Sequence, residues 1–191
     1  MKKKIIVAMT GASGAILGVR LLQELRRAQV ETHLIMSEWA QRTLTLETAY
    51  SPKQVCALAD ESYASNDLSA RLSSGSFRTQ GMIVVPCSMK TLAAMANGFS
   101  CNLIIRAADV CIKERRRLVL VPRETPVSEI HLNNMAALSR CGAVILPPCI
   151  GFYTKPQTID DVLDHLVGKM LDALDVEHEL FPRWDNPHEA K

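Results

Sequence analysis

The chain has 191 residues, 48% of them hydrophobic and 22% charged, with a formal net charge of +2 at pH 7. At roughly 100–200 residues per domain this is one domain, or one domain with a tail, long enough to bury a core without disulfide or metal staples. The hydrophobic share excludes a disordered chain, the near-balanced charge argues against nucleic acid or an anionic membrane surface as partner, and no apolar run approaches the ~20 residues of a membrane span.

Strands and helices alternate along the sequence. Lys4–Met9 is a compact apolar run and predicts a strand. Its lysine-rich start resembles a signal peptide, but Thr10-Gly11-Ala12-Ser13-Gly14 interrupts the run and no small-residue cleavage site follows. Gly14–Arg27 carries Ile16, Val19, Leu22 and Leu25 at helical spacing. Glu31–Met36 predicts a second strand, Ser37–Glu47 a helix capped by Ser37, and Ser51–Asp60 another helix with Pro52 in its first turn. Residues 65–80, with Ser73-Ser74-Gly75-Ser76 at the centre, are too polar for core and read as a loop. Met82–Val85 predicts a strand stopped by Pro86, and Ser88–Asn97 and Leu103–Glu114 predict helices. Leu118–Val121 is a strand stopped by Pro122, Pro126–Arg140 a helix, Ala143–Leu146 a strand stopped by Pro147, and Thr158–Leu174 a long amphipathic helix.

Five apolar strands, each followed by a helix, predict a parallel sheet covered on both faces, a flavodoxin-like or Rossmann-like three-layer α/β fold. Residues 1–175 form the domain. Residues 176–191 form a tail whose Phe181 and Trp184 dock either on a neighbouring subunit or back on the same domain. The six cysteines contain no C-x-x-C pair, so no zinc site is predicted. They read as reduced, buried thiols of a cytoplasmic protein, Cys141 and Cys149 among them.

Open parallel sheets bind ligands beyond the carboxyl ends of their strands. Those ends carry Thr10–Gly14, Ser37, Pro86–Thr91, Pro122–Pro126 and Pro147–Tyr153, which supply hydroxyls, cations and a carboxylate suited to an anion. Gly11-x-x-Gly14-x-x-x-Gly18 is neither a dinucleotide fingerprint nor a Walker loop. Ser13 still stands at a helix start, where free N–H groups favour phosphate, and Ser37 and Ser88 repeat that arrangement; plain tight turns and caps are the alternative. Glu38, after the second strand, keeps a nicotinamide dehydrogenase in view, and the missing third glycine counts against it. Arg123-Glu124 suits a phosphate clamp beside an acid or base, or a surface ion pair. Arg106 and Lys113, seven apart, share a helix face; a salt bridge explains Arg106 nearly as well. His33 and His131 read as structural, and Glu47 and Tyr153 carry little signal by spacing.

Taken together, Thr10-Gly-Ala-Ser-Gly14, Pro86-Cys-Ser88, Arg106-Ala-Ala-Asp109, Lys113-Glu-Arg-Arg116, Pro122-Arg-Glu124, His131-Leu-Asn-Asn-Met135 and Gly151-Phe-Tyr153 strongly resemble the UbiX-type flavin prenyltransferases, from about Lys4 to Trp184. The resemblance implies a homo-oligomer, usually a dodecamer, that holds FMN between subunits. It implies transfer of the prenyl group of dimethylallyl phosphate to N5 and C6 of reduced FMN, and a UbiD-type decarboxylase that receives the prenylated FMN. Gly11, Ala12 and Ser13 match the flavin-contacting turn, and Ser13 also matches a position near the reacting flavin atoms. Ser37, Ser88, Met89, Lys90, Thr91 and Arg123 match the remaining FMN contacts. Ser74, Gly75, Arg106, Lys113, Tyr153 and Lys169 match the prenyl-phosphate ligands, and Glu47 and Glu124 the acid/base carboxylates. Lys169 stands where some members carry Arg, Arg117 replaces a common proline, and the 49–73 segment lacks a Trp that some members place near the prenyl site. The alternatives are a flavin-dependent cysteine decarboxylase, whose Pro-Ala-Ser-Ala-Asn-Thr segment is Pro86-Cys87-Ser88-Met89-Lys90-Thr91 here, and a non-catalytic FMN carrier.

Overall fold

A computed structural model describes residues 2–183. Six parallel strands make one sheet: β1 (Lys4–Met9), β2 (Glu31–Met36), β3 (Glu61–Ala64), β4 (Gly81–Cys87), β5 (Arg117–Pro122) and β6 (Val144–Ile145), in the order β3-β2-β1-β4-β5-β6. The helices are α1 (Ala15–Arg27), α2 (Glu38–Glu47), α3 (Pro52–Cys56), α4 (Met89–Ala96), α5 (Leu103–Lys113), α6 (Glu129–Arg140) and α7 (Ile159–Ala173).

Side chains alternate across a strand, so β1 feeds two separate cores. Ile5, Val7 and Met9 pack into one core with α1 and α7. Ile6 and Ala8 pack into the other with α4, α5 and Leu138 of α6. Each large aliphatic side chain taken fully from water contributes about 1.5–3 kcal/mol, and β4, buried at every position, serves both cores. The chain runs β1-β2-β3 outward on one side and returns to β4 on the other. The β1/β4 boundary is therefore the switch point of the doubly wound sheet.

Several elements differ from the sequence expectation. β3 is an additional edge strand. Its residues are polar and mostly exposed, so no apolar period marks it; Asp60, accepting from Thr32 N and Oγ1, fixes its start against β2. The helix expected over 51–60 ends at Cys56, and the one expected from Pro126 begins at Glu129 behind the Ser128 cap. Pro86 lies inside β4 rather than ending it, beside an irregularity between Val84 and Cys87. The Ser-rich loop contributes to the core after all, through buried Ala70 and Leu72 around a short 3-10 turn at Arg71–Ser73. Of the tail, residues 176–183 fold back on the same chain: Phe181 meets the His165 ring edge to face and Arg183 pairs with Asp172. Trp184 lies outside the described residues.

Gly18 fixes how closely α1 approaches the sheet. A Cβ there would stand 2.8 Å from Met9 Cε and 2.9 Å from Val85 O. The backbone oxygen cannot swing away as a side chain can. Gly18→Val is expected to lose about 1–3 kcal/mol of stability through overpacking. A urea midpoint equal to or above that of the parent contradicts this packing.

Candidate active site

The crevice at the β1/β4 switch point is stitched by one hydroxyl. Thr10, 2% exposed, donates from Oγ1 to Pro86 O at 2.8 Å and accepts at 2.8 Å from Ser88 N. The loops after β1 and β4 are thus locked together. Ser37 N donates to Met9 O, which adds the loop after β2. Ser37 caps α2 through Ala40 N, and Ser88 caps α4 through Thr91 N. Gly11 lies against Trp39 of α2, and Ala12 N turns back to Thr10 O. Arg123 N donates to Cys87 O, which brings Arg123 beside Ser88. Glu124 is exposed, with Oε1 accepting from Thr125 N.

The start of α1 is arranged differently from the expectation. Gly14 holds φ 100° and supplies no side-chain cap. Glu47, the last residue of α2, reaches across instead. Its Oε2 accepts from Gly14 N at 2.8 Å and Ala15 N at 3.2 Å. Burial by itself would raise the Glu47 pKa; hydrogen bonds from the Ser13 hydroxyl and the two amides, with the Arg123 charge, outweigh it and hold the carboxyl below its usual range. The amides expected to meet a phosphate beside Ser13 are therefore already spent on a carboxylate. The first-turn amides of α4, at Met89 and Lys90, have no intrahelical partner. With Ser88 and Thr91 they make the better anion cradle, and Arg123 joins that loop through its backbone bond to Cys87 O. These residues fit a flavin phosphate.

The residues matched to the prenyl phosphate form two groups. On α5, Arg106 donates from Nε to Ser73 O at 3.1 Å and pairs with Asp109 at 2.6 Å. Gly75 lies against Lys113 and Glu114, and the Arg116 guanidinium donates to Gly75 O and Phe77 O. Ser74, Gly75, Arg106 and Lys113 are thereby gathered on one side of the sheet, Lys113 also pairing with Glu114 at 2.5 Å. Tyr153 and Lys169 line a cavity of 350 Å³ with Leu146, Pro147, Cys149, His165 and Leu166. α5 packs on one face of the sheet and α7 on the other. One chain alone does not bring all six together.

The cysteine expectation divides as well. Cys101, Cys141 and Cys149 are exposed and Cys56 is half-buried, since each lies outside the sheet strands and outside the fully buried core. Cys87 and Cys111 are buried, and burial pushes both thiols up to about 12, far from reactive. Thr10 and His165 are the residues to which the sequence reading gives no role of their own. Thr10 carries no separate signal. His165 precedes Lys169 by four and so shares its helix face.

The Flavoprotein family model matches residues 1–173. A probable UbiX-like flavin prenyltransferase of Escherichia coli O157:H7 is 56% identical over 189 residues, covering 98% of this chain and 96% of the relative. The crystal structure of AnUbiX (PadA1) in complex with FMN and dimethylallyl pyrophosphate superposes with a TM-score of 0.96 at 57% identity, covering 97% of this chain and 99% of that one. The chain belongs to the UbiX-like flavin prenyltransferases. A dodecameric FMN-dependent Ubix-like decarboxylase from Escherichia coli O157:H7 superposes with a TM-score of 0.94 at 56% identity, covering 96% of this chain and 100% of that one.

The Glu47 contacts give a pH signature. A folded-state pKa below the unfolded value of about 4.3 means the contribution is present above that value and is lost as pH falls through the folded one. Glu47 is exposed, so its worth at the α1 terminus is expected at the low, screened end of about 0.3–1 kcal/mol. Urea unfolding of Glu47→Gln beside the parent should show this gap at pH 7 and its closure in acid. A gap that persists unchanged at pH 3 contradicts the assignment.

Proposed function

We propose that the protein joins the dimethylallyl group of dimethylallyl phosphate to reduced FMN at N5 and C6, and that the prenylated FMN is passed to a UbiD-type decarboxylase. The observation that carries this reading is the full-length match to a chain crystallised with FMN and dimethylallyl pyrophosphate. Residues 1–175 act as one flavin-binding unit. The six cysteines, all free, suit a cytoplasmic location.

Reduced flavin supplies the nucleophilic atoms, and the protein's contribution is positioning and electrostatics. Ser88, Met89, Lys90, Thr91 and Arg123 hold the flavin phosphate at α4, with Ser37 beside them. Gly11, Ala12 and Ser13 border the flavin ring, and Glu47 keeps that turn in shape from behind. Loss of the prenyl phosphate leaves an allylic cation and an anion. Arg106, Lys113 and Lys169 stabilise the departing charge with fixed cations. The Tyr153 hydroxyl, with Ser74 and Gly75, completes the phosphate pocket. Glu124, exposed at the crevice and beside Arg123, serves as acid/base for proton transfer to the phosphate or away from the flavin.

The division of the phosphate ligands between the two faces of the sheet supports a site assembled from two chains, as in a homododecamer. Arg106→Ala and Lys169→Ala should each lose most turnover when alone. Refolded together in equal amounts, with random assortment, about a quarter of the sites regain both side chains in a heterologous interface. Turnover is expected to rise to a comparable fraction of the parent's. Mixed oligomers with no recovery would contradict the shared site.

A further inference from the structure

His165 belongs to none of the assigned ligand sets, yet it is built into the Tyr153–Lys169 cavity. It is 6% exposed. Its Nε2 lies 2.9 Å from the Tyr153 hydroxyl, and the two rings meet edge to face at 5.3 Å. Phe181 closes the other side of the imidazole at 4.9 Å. Gly151 presses on both rings: a Cβ there would stand 2.9 Å from His165 Cε1 and 3.2 Å from Tyr153 Cε1. The imidazole is thus wedged between the folded-back tail and the loop that carries Tyr153. One turn along α7, Lys169 projects into the same cavity.

A phenol that donates its proton to a phosphate keeps its oxygen lone pairs available for another donor. A neutral imidazole has one ring N–H to give, and which nitrogen carries it is set by its partners. Burial, and then the Lys169 charge, hold the His165 pKa below its ordinary value, which favours the neutral ring. We propose that His165 is a positioning residue for prenyl-phosphate binding: its Nε2–H donates to the Tyr153 oxygen and so aims the phenolic proton at the phosphate. This rests on the reading of Tyr153 as a phosphate ligand. Tyr153, His165 and Lys169 then form one unit, in which α7 supplies a charge and the orientation of the hydroxyl. The geometry also explains why Tyr153, on an irregular loop, can serve as a precise donor: its direction is fixed by a helix residue.

The test is a double-mutant cycle on the full-length protein, with prenylated flavin as product and the KM for dimethylallyl phosphate as readout. His165→Leu removes the donor; His165→Gln keeps an amide N–H. Losing one oriented hydrogen bond should raise the KM roughly 5–10-fold in His165→Leu, with FMN affinity unchanged. His165→Gln should recover most of that loss. In a Tyr153→Phe background, His165→Leu should add no further change, because the oxygen it orients is gone. Full additivity, an unchanged KM in His165→Leu, or equal defects in the Leu and Gln variants would overturn the proposal. If His165→Leu fails to fold, His165→Phe, which keeps a ring between Tyr153 and Phe181 but has no N–H, takes its place in the cycle under the same criteria. Absence of prenylated flavin from the unsubstituted protein would overturn the underlying reading as well, whereas turnover with additive effects removes the His165 role alone.

Discussion

Parity along β1 decides which side chains can meet. Ile5, Val7 and Met9 face α1 and α7, while Ile6 and Ala8 face α4 and α5. A sheet filled from both sides cannot pass a side chain through itself. Lys169 on α7 and the Arg106–Lys113 face of α5 are therefore held in separate layers of one chain. Anchoring contacts lie within each layer: Arg106 reaches Ser73 O and Asp109 on its own side, and Arg20 of α1 bonds Asp164 of α7 on the other. The residues matched to the prenyl phosphate thus fall into two groups on opposite faces of one closed core.

The electrostatics of helix ends shape the crevice between those groups. Glu47 ends α2, where a carboxylate is unfavourable, and is compensated by the positive N-terminus of α1. That exchange occupies the Gly14 and Ala15 amides of α1 and leaves the first turn of α4 as the better anion cradle. The Thr10 hydroxyl fixes the distance between the two termini by bonding both Pro86 O and Ser88 N. Charge at this edge is thus distributed by packing and backbone geometry before any ligand arrives.

Much of this was legible in the sequence where a single period dominates. The buried strands β1, β2, β4 and β5 read as apolar runs, and Ser37 and Ser88 read as caps because capping is local chemistry. β3 was not legible, since an exposed edge strand has no apolar face to declare it. The roles of Glu47 and Thr10 depend on contacts 33 and 76 residues apart along the chain. No local pattern encodes those. The motifs brought the flavin-prenyltransferase resemblance within reach, but which phosphate ligands share a face followed only from the layer each helix occupies. Cys141 and Cys149 show the same limit: apolar neighbours in sequence did not make them buried.

The most direct measurement is the mass of the flavin released after the purified protein is mixed, without oxygen, with reduced FMN and dimethylallyl phosphate. The account predicts a flavin heavier by one dimethylallyl-derived unit and inorganic phosphate in equal amount. Unmodified flavin, recovered from protein shown to have bound it, would contradict the account and return weight to a flavin carrier or a cysteine decarboxylase.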